Sequence, residues 1–504
     1  MLYYLLYEQL HKYVSPFRVF SYTTSRTAFA SLTALFLCIA LGPWLINRLR
    51  QFQIGQYIRE EGPKSHQKKA GTPTMGGVLI IISIIIPTLL WADLRSPYVW
   101  VAILALLGYG WIGFLDDFAK VTRRRNLGLT GRRKLVYQFL MGFSFAATLL
   151  VMRAYGDFST NMNIPFAKQF RPSFLMESLL RNPWTYVVGV APFCIFVALV
   201  VVFMSNAVNL TDGLDGLAIG LMVIAAGALT VLTYAGGHAT LAEYLQLARN
   251  PRTSELTIFC GSMTGASLGF LWYNAHPAEI FMGDVGALGL GGAMAVVAVL
   301  IKQEVLLVFI GGIFILEAVS VILQVGSFKL RHGKRIFKMA PLHHHFEALG
   351  WTESKIIARF WIAGLVLALF ALTTLKLRSV GQASACQQYG TERYQDVGRR
   401  HEKVGDCIHG AVGPHGRHRA RNRLEKPRPA SRGRRNACPA QRSVRATIAG
   451  GVRGARPDRA VSGCAGGPSA ARNSAPARSP SHRRSGVGRA VSERRDHRHY
   501  GFQR

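Results

Sequence analysis

Ile103-Leu-Ala-Leu-Leu-Gly-Tyr-Gly-Trp-Ile-Gly-Phe-Leu-Asp116-Asp117 decides the fold class of this chain. An uncharged run from Ile103 to Leu115 leads straight into two adjacent carboxylates. An acid inserted in hydrocarbon costs roughly 2.5–3.5 kcal/mol unless it meets water, a cation or a partner. Asp212, Asp215 and Asp284 stand in or beside equally apolar segments. Separate placements of this kind point to a shared job, and a divalent metal facing phosphates is the candidate that uses all of them.

A hydrocarbon core of ~30 Å takes ~20 apolar residues per helix. Such windows fall near 27–47, 75–92, 97–115, 135–152, 185–205, 214–235, 256–273, 285–301, 305–325 and 356–376. The chain therefore reads as an all-α polytopic membrane protein of about ten transmembrane helices. The windows at 214–235 and 285–301 are glycine-rich, which lets neighbouring helices approach closely. Loops 50–74, 116–134, 206–213, 274–284 and 326–355 carry 18 Lys and Arg, against 8 in loops 93–96, 153–184, 236–255 and 302–304. Positive charge stays inside, so the first set is expected in the cytoplasm and both ends of the ten-span region outside. All five aspartates and the run His343-His344-His345 then share the cytoplasmic side, which predicts an active-site cleft there. The first 26 residues, with Tyr3, Tyr4 and Tyr7 before Lys12 and Arg18, suit an interfacial segment more than a cleavable signal.

The formal charge of +34 is unevenly spread: residues 1–377 hold 32 Lys and Arg against 18 acids, and residues 378–504 hold 28 against 8. Two regions follow, a membrane domain over 1–378 and an Arg/Gly/Ala/Pro-rich segment over 379–504. The second has too few aliphatics to offset chain entropy, so it is expected to be disordered. It falls outside the membrane in this topology and lacks the interleaved aromatics that stack on bases, so no nucleic-acid partner is expected. Its irregular composition reads as a GC-rich gene translated out of frame past its stop, in preference to a working tail. The seven cysteines show no CxxC spacing, which argues against structural zinc.

The remaining motifs narrow the chemistry. Asp116-Asp117 is followed by Lys120 and Arg123-Arg124-Arg125. Neighbouring carboxylates on a helix are expected to diverge, one toward metal and one toward substrate; a capped helix end with snorkelling bases fits the same residues. In Asn209-Leu-Thr-Asp212-Gly-Leu-Asp215-Gly a helical turn would put both acids on one face, and the glycines admit a phosphate or base to the backbone. Asn274-Ala-His-Pro-Ala-Glu-Ile-Phe281-Met-Gly-Asp284 places Asp284 at a helix N-terminus, where N–H groups and a cation can share an anion. Phe281 suits either base stacking or packing. The histidine run could bind phosphates, shuttle protons, shape a pocket or simply sit in a solvated loop. Lys69, before Gly71-Thr-Pro-Thr-Met-Gly-Gly77, and Lys134 can hold diphosphate oxygens as point charges.

Taken in order, Gly71–Gly77, Phe114-Leu-Asp-Asp117, Asn209–Gly216, Phe281-Met-Gly-Asp284 and Pro341-Leu-His-His-His-Phe-Glu347 resemble the polyprenyl-phosphate N-acetylhexosamine-1-phosphate transferases over residues 1 to about 378. The unbroken triple histidine resembles the branch that handles the muramoyl-pentapeptide sugar. That resemblance implies transfer of phospho-N-acetylmuramoyl-pentapeptide from UDP-N-acetylmuramoyl-pentapeptide to undecaprenyl phosphate. The products would be lipid I and UMP, with Mg²⁺ as cofactor, in a homodimer of the bacterial inner membrane. Carried over by motif, Asp116 and Asp117 lie near the lipid phosphate and metal, with Asp116 as the base or assisting carboxylate. Asp284 is the main Mg²⁺ ligand, with Asp117 beside it. Asn209, Asp212, Asp215, Asn274 and Phe281 line the uridine side, Lys69 and Lys134 meet phosphates or uracil, and His343, His344 and His345 line the sugar-phosphate side. Two rivals are a sibling N-acetylglucosamine-1-phosphate transferase and, from another class, an ion-coupled transporter. A transporter predicts acids near the bilayer midplane and internal repeats.

Overall fold

The computed structural model describes residues 1–51, 72–123, 128–164, 171–180, 183–245, 247 and 249–375. Lys69, Gly71 and the expected basic segment 379–504 lie outside the described residues. The uninterrupted apolar windows become helices: α1 Thr23–Gln51, α2 Gly77–Trp91, α3 Pro97–Arg123, α4 Gly131–Ala154, α5 Pro183–Thr211 and α6 Leu217–Gly237. They continue as α7 Ala239–Leu245, α8 Thr253–Asn274, α9 Gly283–Leu300, α10 Glu304–Ile310, α11 Gly312–Leu330, α12 Leu342–Ala348 and α13 Glu353–Leu375. Among the described residues the only β-structure assigned between two named partners is an isolated antiparallel bridge, Asn161 to Ser173.

Among the described residues eight helices are long and apolar enough to cross a membrane: α1, α3, α4, α5, α6, α9, α11 and α13. The window expected at 75–92 is α2, whose 15 residues rise only about 22 Å at 1.5 Å each. The window at 256–273 is α8, a 22-residue helix whose hydroxyl residues and glycines, from Thr257 to Gly269, dilute its apolar character. The window expected at 305–325 is not one helix. It breaks at Gly311 into α10 and α11, so the long segment begins at Gly312.

Helix α9 is the hub. Nearly all its residues are buried, as expected of a helix apolar on every face. It packs against α2, α3, α5 and α6. Its glycines make this closeness possible: a Cβ on Gly289 would press on the Leu106 carbonyl, and one on Gly291 on the Ser205 backbone. Gly261, Gly265 and Gly269 form an i,i+4 stripe on α8, and side chains there would run into Thr27, Ser31 and Leu35 of α1. At the start of the same pair, the two terminal guanidinium nitrogens of Arg26 each donate to Glu255 at 2.8 Å.

The antiparallel run of α3 and α9 sets up the site. The C-terminal end of α3, the N-terminal ends of α4 and α9 and the C-terminal end of α5 come together at one end of the bundle.

Candidate active site

Three carboxylates converge where α3 meets α9. Asp116, Asp117 and Asp284 each offer a ligand oxygen within 4.8 Å of the others. The neighbours Asp116 and Asp117 were expected to diverge, yet both reach this cluster because Asp284 enters between their directions from another helix. Asp116 and Asp117 are buried. The Lys120 ammonium sits among all three acids, 2.7 Å from Asp116 Oδ2, 3.1 Å from Asp117 Oδ1 and 3.0 Å from Asp284 Oδ2. Lys134 Nζ donates to Asp284 Oδ2 at 2.6 Å and lies 3.8 Å from Asp116 Oδ2. Asn209 Nδ2 donates to Asp284 Oδ1 at 3.1 Å.

The backbone fixes these acids. Leu129 N–H donates to Asp116 Oδ1 at 2.7 Å, and Val285 N–H to Asp117 Oδ2 at 3.2 Å. Gly283 opens α9 with φ +70°, a region unfavourable to residues with a Cβ, and a Cβ there would stand 2.7 Å from Asp117 Oδ2. Gly113 allows α3 to cross against the Asp284 carbonyl. Phe281 is tied into the same corner through its backbone, with its N–H donating to Pro73 O and its carbonyl accepting from Gly76 N–H, both at 2.9 Å.

Asp212 and Asp215 part company, contrary to the single face expected of a helical turn. Helix α5 ends at Thr211, and Gly213 and Gly216 carry the chain through a turn, Gly216 at φ +78°. Asp212 is left close enough to Asp284 and Asp117 to feel both charges. Burial, with those charges adding to it, pushes its carboxyl up to about 7, and the Gly283 N–H opposes the rise. Asp215 turns the other way, its Oδ2 lying 3.1 Å from His276 Nδ1 and 3.3 Å from Ala278 N. Glu353 Oε2 is 3.4 Å from the same His276 nitrogen.

Asn274 is a buried clamp between these loops. Its Oδ1 accepts from Gly216 N–H at 3.0 Å, and its Nδ2 donates to the Ile280 carbonyl at 2.8 Å. The histidines also divide. His343 is fully buried against Gly213, with its N–H 3.2 Å and its Nδ1 3.3 Å from the Glu317 carboxylate on α11. Burial holds its imidazole below the usual value while Glu317 pulls the other way. His344 Nδ1 lies 2.6 Å from Glu347 Oε2, and His345 Nδ1 accepts from Lys338 N–H at 3.2 Å.

The sequence leaves Lys120 between a helix-end base and a neighbour of the metal site, and does not single out Glu317, His276 or Glu353. Lys120 did carry a signal, since Asp-Asp-x-x-Lys sets it at i+3 and i+4 from the acids. A lone Glu317 inside an apolar span was a second. Glu317→Leu should strip the buried His343 of its partner and lower transferase activity roughly 10- to 100-fold, the range for losing a supporting contact. Glu317→Gln, which keeps an acceptor, should recover most of it; steady-state rates of the two proteins compare them.

The arrangement as a whole is a set of hard oxygen donors with two flanking ammonium groups, suited to a divalent cation and phosphates. The profile of glycosyl transferase family 4 matches residues 99–302, which holds every cluster residue. The first signature of the phospho-N-acetylmuramoyl-pentapeptide-transferases matches residues 69–81. A phospho-N-acetylmuramoyl-pentapeptide-transferase of Solibacter usitatus is 89% identical over 378 residues, 75% of this chain and 100% of the relative. This chain belongs to the phospho-N-acetylmuramoyl-pentapeptide-transferases. Family members from Koribacter versatilis (65% over 381 residues) and Acidobacterium capsulatum (66% over 378 residues) are also covered along 100% of their length and match 75% of this chain. The chain is therefore an enzyme of peptidoglycan synthesis, with a quarter of its length beyond the family's extent.

Proposed function

We propose that the Asp116–Asp117–Asp284 cluster holds Mg²⁺ and that sugar phosphate passes to the lipid by direct attack within it. Family membership makes the chain a transferase of phospho-N-acetylmuramoyl-pentapeptide to a lipid carrier, giving lipid I. The observation that carries the metal reading is the convergence of three carboxylates from two helices within 4.8 Å. With Lys120 and Lys134 they leave one negative charge uncompensated, and all the donors are the oxygens Mg²⁺ prefers. When bound, Mg²⁺ supplies neutralisation of the charge on the diphosphate.

The residues account for the rest. A phosphate oxygen of undecaprenyl phosphate forms a bond to the sugar-bearing phosphorus of UDP-N-acetylmuramoyl-pentapeptide. The bond from that phosphorus to the bridging oxygen breaks, and UMP leaves with the electron pair. A phosphate monoester is already ionised at neutral pH, so no proton need be removed and Asp116 serves to position the acceptor. Lys120 and Lys134 stabilise charge gathering on the leaving phosphate as fixed point charges. Asn209 orients Asp284. The nucleotide lies toward Asp215, His276 and Phe281, in loops set by the Asn274 clamp, and the sugar phosphate toward the histidine helix α12. Loop charges support a cytoplasmic face in the inner membrane, and the homodimer is carried only by the motif resemblance.

Labelled UMP should not exchange into the UDP-sugar when the lipid acceptor is absent; exchange would establish a covalent aspartyl-phosphate route instead. UDP-N-acetylglucosamine should fail as donor, which separates the sibling reaction. Removing residues 379–504 should leave the rate of UMP release within about twofold, because the relatives are matched in full without that length.

A further inference from the structure

At the end of the bundle opposite the acids, a cavity of about 530 Å³ opens between the turns after α3's partner helices. Phe158, Asn250, Arg252 and Lys302 line it, with Arg249 at its side and Leu300 and Ile301 forming an apolar wall. It is remote from the carboxylates: α9, 18 residues long, separates Asp284 from Lys302 by about 27 Å.

Lys302 is the unusual member. It is only 8% exposed, and its ammonium has no hydrogen-bond partner. The nitrogen stands 3.6 Å from the Phe158 ring centroid and 3.7 Å from Glu304 Oε1, too far for a hydrogen bond. Its backbone holds φ +60°, a conformation uncommon for any residue but glycine. Burial pushes the ammonium down to about 8, with Glu304 opposing. Lys302 and Glu304 thus form a buried ion pair with no hydrogen bond between them, and an ammonium whose donors are all unused is costly to bury, so its retention points to a ligand.

The surroundings are rigid and cationic. Tyr98 Oη donates to the Asp157 carbonyl at 2.8 Å and accepts from Asn250 Nδ2 at 2.7 Å. Asn250 Oδ1 takes the Arg252 N–H at 3.0 Å, and the Arg252 guanidinium pairs with Asp157. Arg249 is exposed and has no carboxylate partner among the described residues. Asp157 answers Arg252 and Glu304 stands near Lys302, so Arg249 leaves the pocket net positive.

We infer that this cavity binds the phosphodiester headgroup of an anionic phospholipid, with Lys302 at its base and Arg249 at its rim. A free phosphate shares the chemistry, but the volume far exceeds one, and the Leu300–Ile301 wall suits a glycerol and the first methylenes of its chains. The cavity lies at the ends of membrane-crossing helices, the level at which headgroups lie.

The test uses the full-length chain, delipidated in a neutral detergent, with binding followed by native mass spectrometry and thermal shift. Phosphatidylglycerol, phosphatidylcholine and inorganic phosphate are the probes. Phosphatidylglycerol should bind the wild type at least 10-fold more tightly than phosphatidylcholine. Lys302→Met, which keeps the length and removes the buried charge, should cost about 10-fold in that affinity, and the surface change Arg249→Gln several-fold. UMP release in detergent should stay unchanged in both. Equal affinity for the two lipids, or unaltered phosphatidylglycerol binding in both variants, overturns the site. Protection by inorganic phosphate equal to that by phosphatidylglycerol overturns the lipid assignment.

Discussion

Asp284→Asn should lower UMP release from UDP-N-acetylmuramoyl-pentapeptide by about 10³-fold or more, the scale for removing a group that meets transition-state charge. Asp284 is where the cluster's interactions meet, taking Lys120, Lys134 and Asn209 on its two oxygens. The amide retains the shape and can still accept from one lysine, but it offers the cation no negative charge. Folding should survive, since α9 is held by its buried length and not by this first-turn side chain. A detergent melting temperature within a few degrees of wild type, beside the lost rate, separates chemistry from stability. Asp117→Asn should behave in the same way, with its Val285 contact preserved through the amide oxygen.

Gly283→Ala should reduce the rate at least about 100-fold, the loss expected when catalytic groups shift by about 1 Å. Two effects add. The backbone there sits at φ +70°, and the new methyl would lie 2.7 Å from Asp117 Oδ2 and 3.0 Å from Thr74 Oγ1. Neither neighbour can withdraw freely, because Asp117 is buried and tied to Lys120 and Val285. The methyl therefore moves a proposed metal ligand or the N-terminus that carries Asp284. Gly227→Ala on α6 is the control, since a Cβ there meets nothing within 4 Å. It should leave the rate unchanged, and rates from the two alanine variants measured in one preparation decide the matter.

Most of the fold was legible because hydropathy marks the segments that leave water, and nine of the ten expected windows each fall on one helix while 305–325 falls on two. Gly311 was not legible as a break, since a glycine inside an apolar run fits close packing as well as a helix end. Asp284 was legible at a helix start because it stands just before the apolar window that opens at 285. The divergence of Asp212 and Asp215 was hidden because i,i+3 spacing implies a shared face only while the helix continues. Here Gly213 and Gly216 end it. The clamp role of Asn274, the Glu317 contact of His343 and the Lys120 bridge depend on which helices meet, which no local pattern encodes. The transporter alternative also loses ground: the acids gather at helix ends, not near the middle of the spans.

The central claim is that the three carboxylates hold a divalent cation, and Mn²⁺ binding followed by electron paramagnetic resonance tests it most directly. The wild-type chain with UDP-N-acetylmuramoyl-pentapeptide should bind about one Mn²⁺, displaceable by Mg²⁺. Asp284→Asn should weaken that binding at least about 10-fold. Undiminished Mn²⁺ binding in Asp116→Asn, Asp117→Asn and Asp284→Asn alike would contradict the account.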